Sequence, residues 1–295
     1  MTLRQRRAEW LLWLVPALWS SNYLIARLAA GVISPHQLAL GRWTLALLLM
    51  LPFVGPALWR ERAAWQHEWK QLLLLGGLGM WICGAFVYQG GHSTTATNIA
   101  LIYAATPIAI VAVGTRLLQE RMGRAQLLGV ALALLGVMWV IAKGNIDNLL
   151  AVRFSAGDGW IVAAAVAWAA YSVLLKRWPS ALSPAPRLAA IIGGGLLVLL
   201  PFTLLEAALL PQLPVSGQGL LLVVLAALLP GVLSYGAYSF MQRELGAART
   251  ALVMYLAPVY GALGAWLVLG EQPGWHHAVG AALILPSIWL ATRPR

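Results

Sequence analysis

The chain has 295 residues, of which 61% are apolar and only 10% are charged, and its mean hydropathy is +0.78. This composition excludes the soluble globular classes and indicates a polytopic membrane protein. The net charge of +11 would suggest nucleic acid in a soluble chain, but no basic run is longer than Arg6-Arg7 or Lys176-Arg177. The positive charges lie between apolar runs, so membrane topology accounts for them and we expect no nucleic-acid partner.

Ten apolar runs are long enough to form helices that cross a bilayer. They cover 10–30, 37–53, 72–90, 96–118 and 125–142 in the first half, and 159–175, 188–210, 220–241, 247–269 and 275–291 in the second. These runs divide the chain into a five-helix unit (1–142), a periplasmic linker (143–158) and a second five-helix unit (159–295). Plain loop is expected in the linker, with a short interfacial helix over 148–154 as the alternative.

Lysine and arginine indicate the orientation, because they collect in cytoplasmic segments. With the N-terminus inside, sixteen of the 20 fall in predicted inner segments, whereas the outer segments hold only Lys143 and Arg153. Both termini are therefore predicted to be cytoplasmic. Because each half has an odd number of helices, the second half must enter the membrane in the opposite sense.

The two halves repeat one pattern at an offset of 151 residues. Ten of the forty positions from 100 to 139 are identical to their counterparts. The most informative pairs are Pro107 with Pro258, Glu120 with Glu271, and Gly129 with Gly280. The chain is therefore a duplication, and the opposite orientation of its halves makes the repeats inverted.

Two pairs of residues mark where the helices can bend. Pro107 and Pro258 each lie about eleven residues into their helices, near the bilayer midplane. Prolines at matching depths of inverted repeats point to the binding site of a transporter and to hinges. Gly79 and Pro230, in the third and eighth runs, are a second pair of predicted hinges.

The same depth carries candidate substrate-binding residues. Trp19, Asn22 and Tyr23 share one face of the first helix. An amide inside a membrane predicts a wet cavity, although Asn22 could instead only tie helices together, as Ser20 and Ser21 could. The other residues that we predict to bind substrate are Tyr88, Tyr103, Trp168, Tyr171, Tyr238, Met254 and Tyr255, and Tyr235 could add to the wall.

All nine acidic residues fall in loops or at helix ends. Cation and proton exchange usually need a titratable group inside the membrane, so the cargo is expected to be neutral or zwitterionic. Glu120 and Glu271 precede the fifth and tenth helices, where the helix dipole stabilises an anion, and we interpret both as helix-capping residues. Arg27 and Arg42 lie toward the outer ends of their helices, where snorkelling accounts for them, with a substrate carboxylate as the alternative.

We expect no metal and no cofactor. Cys83 is the only cysteine, and His36, His92, His276 and His277 have no acidic or cysteine partner at ligand spacing. An intramembrane enzyme would need a nucleophile with a base, or a metal set, at one depth, and the midplane residues supply neither. The chain is therefore not expected to be an enzyme.

These features resemble the drug/metabolite transporter superfamily, in its ten-helix branch with two EamA-type repeats. The residues that carry the resemblance are Leu18-Trp19-Ser20-Ser21-Asn22, Ile33-Ser34-Pro35, Arg42 and the paired prolines, glutamates and glycines of the repeats. The resemblance implies an all-α membrane fold of ten transmembrane helices in two inverted five-helix repeats, located in the bacterial inner membrane.

The resemblance also implies a function, namely export of small metabolites, often amino acids, by alternating access at a cavity between the repeats. The aromatic lining is similar to what exporters of aromatic or large neutral amino acids need. Other neutral or zwitterionic cargo, such as a sugar, a nucleoside or purine, or a drug-like compound, is the alternative. A quaternary-ammonium exporter would need a glutamate near Trp19, which the sequence does not have. We expect the chain to function as a monomer in the lipid bilayer.

Overall fold

A computed structural model describes residues 3–94, 99, 102–103, 106–110, 113, 123–150, 155–211, 213–214, 216–269 and 274–292. These ranges are helical apart from short connections, and they contain no strand. The predicted all-α class is therefore confirmed. The predicted fourth span falls mostly outside the described residues, and Glu120 and Glu271 fall outside them entirely.

The helices of the first half are α1 (Leu3–Ala29), α2 (Pro35–Arg60), the short α3 (Arg62–His67), α4 (Trp69–Gly91) and α5 (Arg124–Ile141). The linker contains α6 (Ile146–Leu150). The second half contains α7 (Ala156–Arg177), α8 (Pro184–Leu209), α9 (Gly217–Leu245), α10 (Ala247–Ala251), a 3₁₀ segment (Leu252–Leu256), α11 (Ala257–Leu269) and α12 (Trp275–Thr292).

Among the described residues, five helices are long and apolar enough to cross a membrane, namely α2, α4, α7, α8 and α9. Helix α2 continues to Arg60, beyond the predicted end at 53, because Pro52 and Pro56 do not end it. In the linker, residues 146–150 are helical rather than plain loop. The Asn145 side chain accepts a hydrogen bond from the Asp147 N–H at 2.9 Å, which satisfies a free donor at the start of this turn.

Local sequence explains where several helices begin. Helices α2 and α8 each start with a Ser-Pro pair, and proline suits the first helical position because its missing N–H would have no partner there. Helix α7 starts with a capping box in which the Ser155 N–H donates to the Asp158 carboxylate at 2.5 Å.

Helices α2 and α8 lie antiparallel, and each has a carboxylate at the N-terminus of the other. Glu61, just after α2, accepts hydrogen bonds from the N–H (2.8 Å) and hydroxyl of Ser183 at the start of α8. Glu206, near the end of α8, accepts from the His36 N–H at 3.1 Å, and its other oxygen lies 2.9 Å from His36 Nδ1. Helices α2 and α8 are equivalent helices of the two halves, and their antiparallel arrangement is the one expected of inverted repeats.

Helices α5 and α12, one from each half, cross at glycines. A Cβ on Gly136 would lie 2.9 Å from the Gly280 carbonyl oxygen, and one on Gly280 would lie 3.0 Å from the Gly136 carbonyl oxygen. Only glycine permits such close backbone contact between membrane helices.

Helices α4 and α9 are interrupted at the predicted hinge residues. Gly79 lies in a π-helical turn, Gly77–Ile82, and Pro230 lies in another, Leu228–Leu233. Next to Pro230, Gly231 has the non-helical torsions φ −87° and ψ −107°. The 3₁₀ segment is a similar interruption of α-helical geometry, and it lies just before Pro258. These irregularities lie around the main core, which contains residues from α1, α2, α4, α7, α8 and α9.

Candidate functional site

A small cavity of about 70 Å³ lies between residues of both halves, and we call it the central cavity. Its lining consists of Pro16, Trp19, Asn22, Arg42, Cys83, Val87, Tyr103, Trp168, Tyr235, Met254 and Ala257. Five of the predicted binding residues are among them, namely Trp19, Asn22, Tyr103, Trp168 and Met254.

The apolar wall of the central cavity is a cluster of aromatic rings. Trp19 meets Trp168 edge to face with ring centroids 5.2 Å apart, and Tyr235 lies 5.5 Å from Trp168. The polar atoms of these rings are also bonded: Trp168 Nε1 donates to Met254 Sδ at 3.2 Å, and the Tyr235 hydroxyl donates to the Gly79 carbonyl at 2.9 Å. Such contacts hold the rings in fixed orientations.

Tyr171 and Tyr238 lie behind this wall rather than in it. Both are fully buried, and their ring centroids are 5.3 and 5.0 Å from that of Trp168. The Tyr171 ring also fills the space that a side chain on Gly79 would need, since a Cβ there would lie 2.9 Å from it. These two predicted residues therefore support the wall and do not face the cavity.

Tyr255 is placed elsewhere, in a second buried cluster with Val137 of α5 and Ile284 of α12. The prediction took it together with its neighbour Met254, but successive residues of a 3₁₀ segment point about 120° apart. Only Met254 reaches the cavity.

The polar end of the central cavity is formed by Asn22 and Arg42, and the buried Tyr88, which is not among the lining residues, bonds to both of them. The Tyr88 hydroxyl donates to Asn22 Oδ1 at 2.7 Å, and Arg42 Nη1 donates to the same oxygen at 3.3 Å and to the Tyr88 oxygen at 3.2 Å. Nη2 of Arg42 donates to the Pro230 carbonyl at 2.7 Å. A single guanidinium thus joins α1, α4 and the break in α9.

The snorkelling interpretation is wrong for Arg42. Its side chain is only 3% exposed and lines the central cavity, and the guanidinium stands over the Trp43 ring at 4.4 Å. Helix α2 begins at Pro35, so Arg42 lies about 10 Å along the helix axis from its start. Its side chain therefore does not extend to the water at the membrane surface. The signal in the sequence was an arginine surrounded by apolar residues without a partner of opposite charge.

Ser20 does tie helices together, as the alternative for this segment proposed. Its hydroxyl contacts the carbonyl oxygen of Pro16 at 2.7 Å and that of Ala257 at 3.1 Å, which joins α1 to α11. Ser21 bonds only to Leu18 in its own helix, at 2.6 Å. Pro107 is buried in a helical stretch. The side chains of Tyr23, Arg27 and Pro258 lie outside the described part of the structure.

A second cavity of about 300 Å³ lies at the ends of α7 and α9 that are predicted to face the cytoplasm, and we call it the inner cavity. Lys176, Arg187 and Arg243 line it together with Ser180, Ser239, Gln242 and apolar side chains. Tyr238, one helical turn before Gln242, bonds to Ser172 at 2.9 Å, and its ring packs against Trp168 of the central cavity. Among the described residues, none lines both cavities.

Comparisons with known proteins place the chain in a family. The model of the family described as "EamA-like transporter family" matches residues 6–142 and 155–293. "Uncharacterized transporter YyaM" of Bacillus subtilis (strain 168) is 25% identical over 274 residues, covering 92% of this chain and 89% of that protein. "Probable amino-acid metabolite efflux pump" of Salmonella typhimurium (strain LT2) is 26% identical over 298 residues, covering 97% and 94%.

A solved crystal structure agrees in fold, with a TM-score of 0.75 at 20% sequence identity over 97% of this chain and 96% of the other. At that identity the likeness shows the fold alone. The family matches cover nearly the whole sequence, so this chain belongs to the EamA-like transporter family and is a membrane transport protein.

Proposed function

We propose that this transporter exports amino acids, with aromatic or large neutral side chains preferred, across the bacterial inner membrane. The observation that carries the proposal is the composition of the central cavity, where aromatic rings face a polar end formed by Asn22 and Arg42. An amino acid of this class presents a ring, a carboxylate and an ammonium group. A site for it therefore needs flat apolar walls and a few oriented polar groups.

The size of the central cavity supports transport by alternating access. Ligand sites for molecules of drug size usually measure about 300 Å³ or more, whereas this cavity has about 70 Å³. The aromatic walls must therefore separate before cargo enters. The interruptions near Gly79, Pro230 and Pro258, together with Pro107, are the points where we propose that the helices bend.

Trp168 contacts four other aromatic rings, so its replacement tests the proposal most directly. The purified protein would be placed in liposomes, and transport of phenylalanine, methionine and threonine would be measured for the wild type, Trp19→Ala and Trp168→Ala. Losing one ring contact costs about 1 kcal/mol or more, so half-saturating concentrations should rise several-fold. Transport of none of these amino acids by the wild type would contradict the proposal.

Trp275→Ala is the matched control, because Trp275 is 62% exposed and lies outside both cavities. Its removal should leave the half-saturating concentration unchanged. The same liposomes would be loaded with a sugar, a purine nucleoside and a drug-like amine. Saturable transport of one of these and not of amino acids would support the alternative cargo.

A further inference from the structure

The guanidinium of Arg42 is a buried cation, and within the described residues its hydrogen bonds and its ring contact are all with neutral groups. Its hydrogen-bond acceptors are the oxygens of Asn22, Tyr88 and Pro230, and it also stands over the Trp43 ring. Within the described residues, no carboxylate forms an ion pair with it. Arginine does not lose its proton in proteins, so its charge persists in a place where charge is costly.

We propose that Arg42 binds the carboxylate of the cargo, and that this contact draws the guanidinium away from the Pro230 carbonyl so that α9 can bend at its break. The inference rests on the proposed function only in that the cargo enters the central cavity. It adds a required chemical group, the carboxylate, and a link from recognition to movement.

The geometry of arginine explains why the carboxylate and Pro230 compete. A carboxylate pairs with two parallel N–H groups of a guanidinium, and both available edges, Nε with Nη2 and Nη1 with Nη2, use Nη2. Nη2 is the group that donates to Pro230. Nε is buried and has no hydrogen-bond partner among the described residues. Because Nη2 carries two hydrogens, a bidentate carboxylate shares this nitrogen with Pro230, and the stronger charge-assisted pair draws the guanidinium toward the carboxylate.

Two side-chain hydrogen bonds, which we call braces, stabilise the backbone carbonyls at the break in α9. Proline has no N–H, and the torsions of Gly231 interrupt the helix. The Leu229 carbonyl accepts from the Ser234 hydroxyl at 2.8 Å within the same helix, whereas the Pro230 carbonyl accepts from Arg42 of α2. Release of Arg42 removes the side-chain hydrogen bond that ties the break to α2, which lowers the resistance to bending.

The first test varies the ligand and keeps the protein unchanged. Binding of phenylalanine and phenylalaninamide, and of 3-phenylpropionate and 2-phenylethylamine, would be measured with purified wild type by the quenching of tryptophan fluorescence. Each acid should bind at least about tenfold more tightly than its partner, because a charge-assisted bidentate pair is lost with the carboxylate. Equal binding within both pairs would overturn the role of Arg42 as a carboxylate site.

The second test removes the charge. Arg42→Gln should abolish the preference for acids, and Arg42→Lys should restore it only in part because an ammonium group cannot form the bidentate pair. Lys176→Gln is the matched control, since Lys176 is a cation that lines the inner cavity and not the central one. If Arg42→Gln does not fold, the ligand pairs on the wild type still decide the question.

The third test follows the helix break by hydrogen–deuterium exchange of residues 228–234. Phenylalanine should raise exchange in this segment of the wild type, and phenylalaninamide should not. Ser234→Ala should raise exchange without ligand and keep the preference for acids, because it removes the other brace. Acid preference without any change of exchange would keep the carboxylate site and overturn its link to α9.

The failure of the proposed function can be told apart from the failure of this inference. Tight binding of 3-phenylpropionate without any binding or transport of amino acids would refute amino-acid export and support the carboxylate site. Transport of amino acids, combined with equal affinity for amino acids and their amides, would support amino-acid export and refute the carboxylate site. Binding of no acid at all would overturn both.

Discussion

The hydroxyl of Tyr88 connects the two polar side chains at the end of the central cavity. It donates to Asn22 and accepts from Arg42, at 2.7 and 3.2 Å. Tyr88→Phe removes both bonds and leaves the Asn22 oxygen with Arg42 alone. We expect the half-saturating concentration for phenylalanine to rise several-fold, since a lost hydrogen bond to a charged group costs about 1.5 kcal/mol or more.

Tyr255→Phe is the control for that change. Tyr255 is fully buried in the other cluster, and its hydroxyl has no partner among the described residues. Removing an unbonded buried hydroxyl should keep the protein at least as stable and leave transport unchanged. Thermal unfolding in detergent and uptake into liposomes would check both variants, and equal transport defects in the two would contradict a specific role for Tyr88.

Single residues also show what the sequence could and could not predict. That Trp19, Asn22 and Trp168 line one cavity was predictable, because helical periodicity and depth identify which side chains share a face. The hydrogen-bond partners of Arg42 were not predictable, because periodicity does not reveal which neighbouring helix covers an arginine or whether that helix offers a free carbonyl. The positions of Tyr238 and Tyr255 likewise depend on packing between distant segments.

At the scale of helices, the crossing of α4 and α8 depends on glycine. A Cβ on Gly76 would lie 2.2 Å from the backbone nitrogen of Gly195 and 2.5 Å from the Ile191 oxygen. Because backbone cannot move aside as a side chain can, Gly76→Ala should destabilise the protein by about 1–3 kcal/mol or more. Gly193→Ala on α8 is the control, since nothing lies within 4 Å of its Cβ. Thermal unfolding in detergent measures both, and equal stability of the two variants would show that the helices are not in close contact.

The cap between α2 and α8 predicts a dependence on pH. Hydrogen bonds from the side chain and backbone of Ser183 lower the pKa of Glu61 below its ordinary value of 4.5. A carboxylate whose pKa is lower in the folded state stabilises the protein above its ordinary pKa, and this stabilisation is lost as the pH falls through the lowered pKa. The effect should be small because Glu61 lies at the protein surface, where solvent screens its interactions.

Glu61→Gln tests this contribution, because the amide does not titrate. The difference in unfolding temperature between wild type and variant, measured in detergent, should be largest at neutral pH and shrink below about pH 4.5. Asp147→Asn, which replaces an exposed carboxylate on α6, should follow the wild type. A difference that grows on acidification would contradict the assigned cap.

Proline substitutions test the proposed hinges at the same scale. Pro107→Ala and Pro230→Ala each restore a backbone N–H, so the helices should become straighter and stiffer. We expect transport rates to fall while unfolding temperatures stay equal or rise. Unchanged rates in both variants would count against hinges at these residues.

For the molecule as a whole, the inverted arrangement of the halves predicts which surfaces face the cytoplasm. Gln66 on α3 should lie inside and Gln218 on α9 outside, and both are exposed. A cysteine at Gln218 should react with a membrane-impermeant thiol reagent added to whole cells, and a cysteine at Gln66 should react only after lysis. Wild type, which has only Cys83, provides the blank. The reverse pattern would invalidate the orientation.

The fold class was more predictable than the site because hydropathy depends on the solvent around each helix, which composition reports directly. Glycine and proline predicted the irregular stretches of α4 and α9, since both residues change backbone geometry locally. How wide the central cavity is and which carbonyl Arg42 holds depend on tertiary packing. No local pattern in the sequence encodes these features.

Photo-crosslinking tests most directly whether amino acids bind in the central cavity. Purified protein would be irradiated with p-azidophenylalanine, and labelled peptides would be identified by mass spectrometry. We expect labels on the segments around Trp19 and Trp168, and their loss when excess phenylalanine competes. Labels confined to the inner cavity around Arg187 and Arg243, or labels that phenylalanine does not displace, would contradict the account.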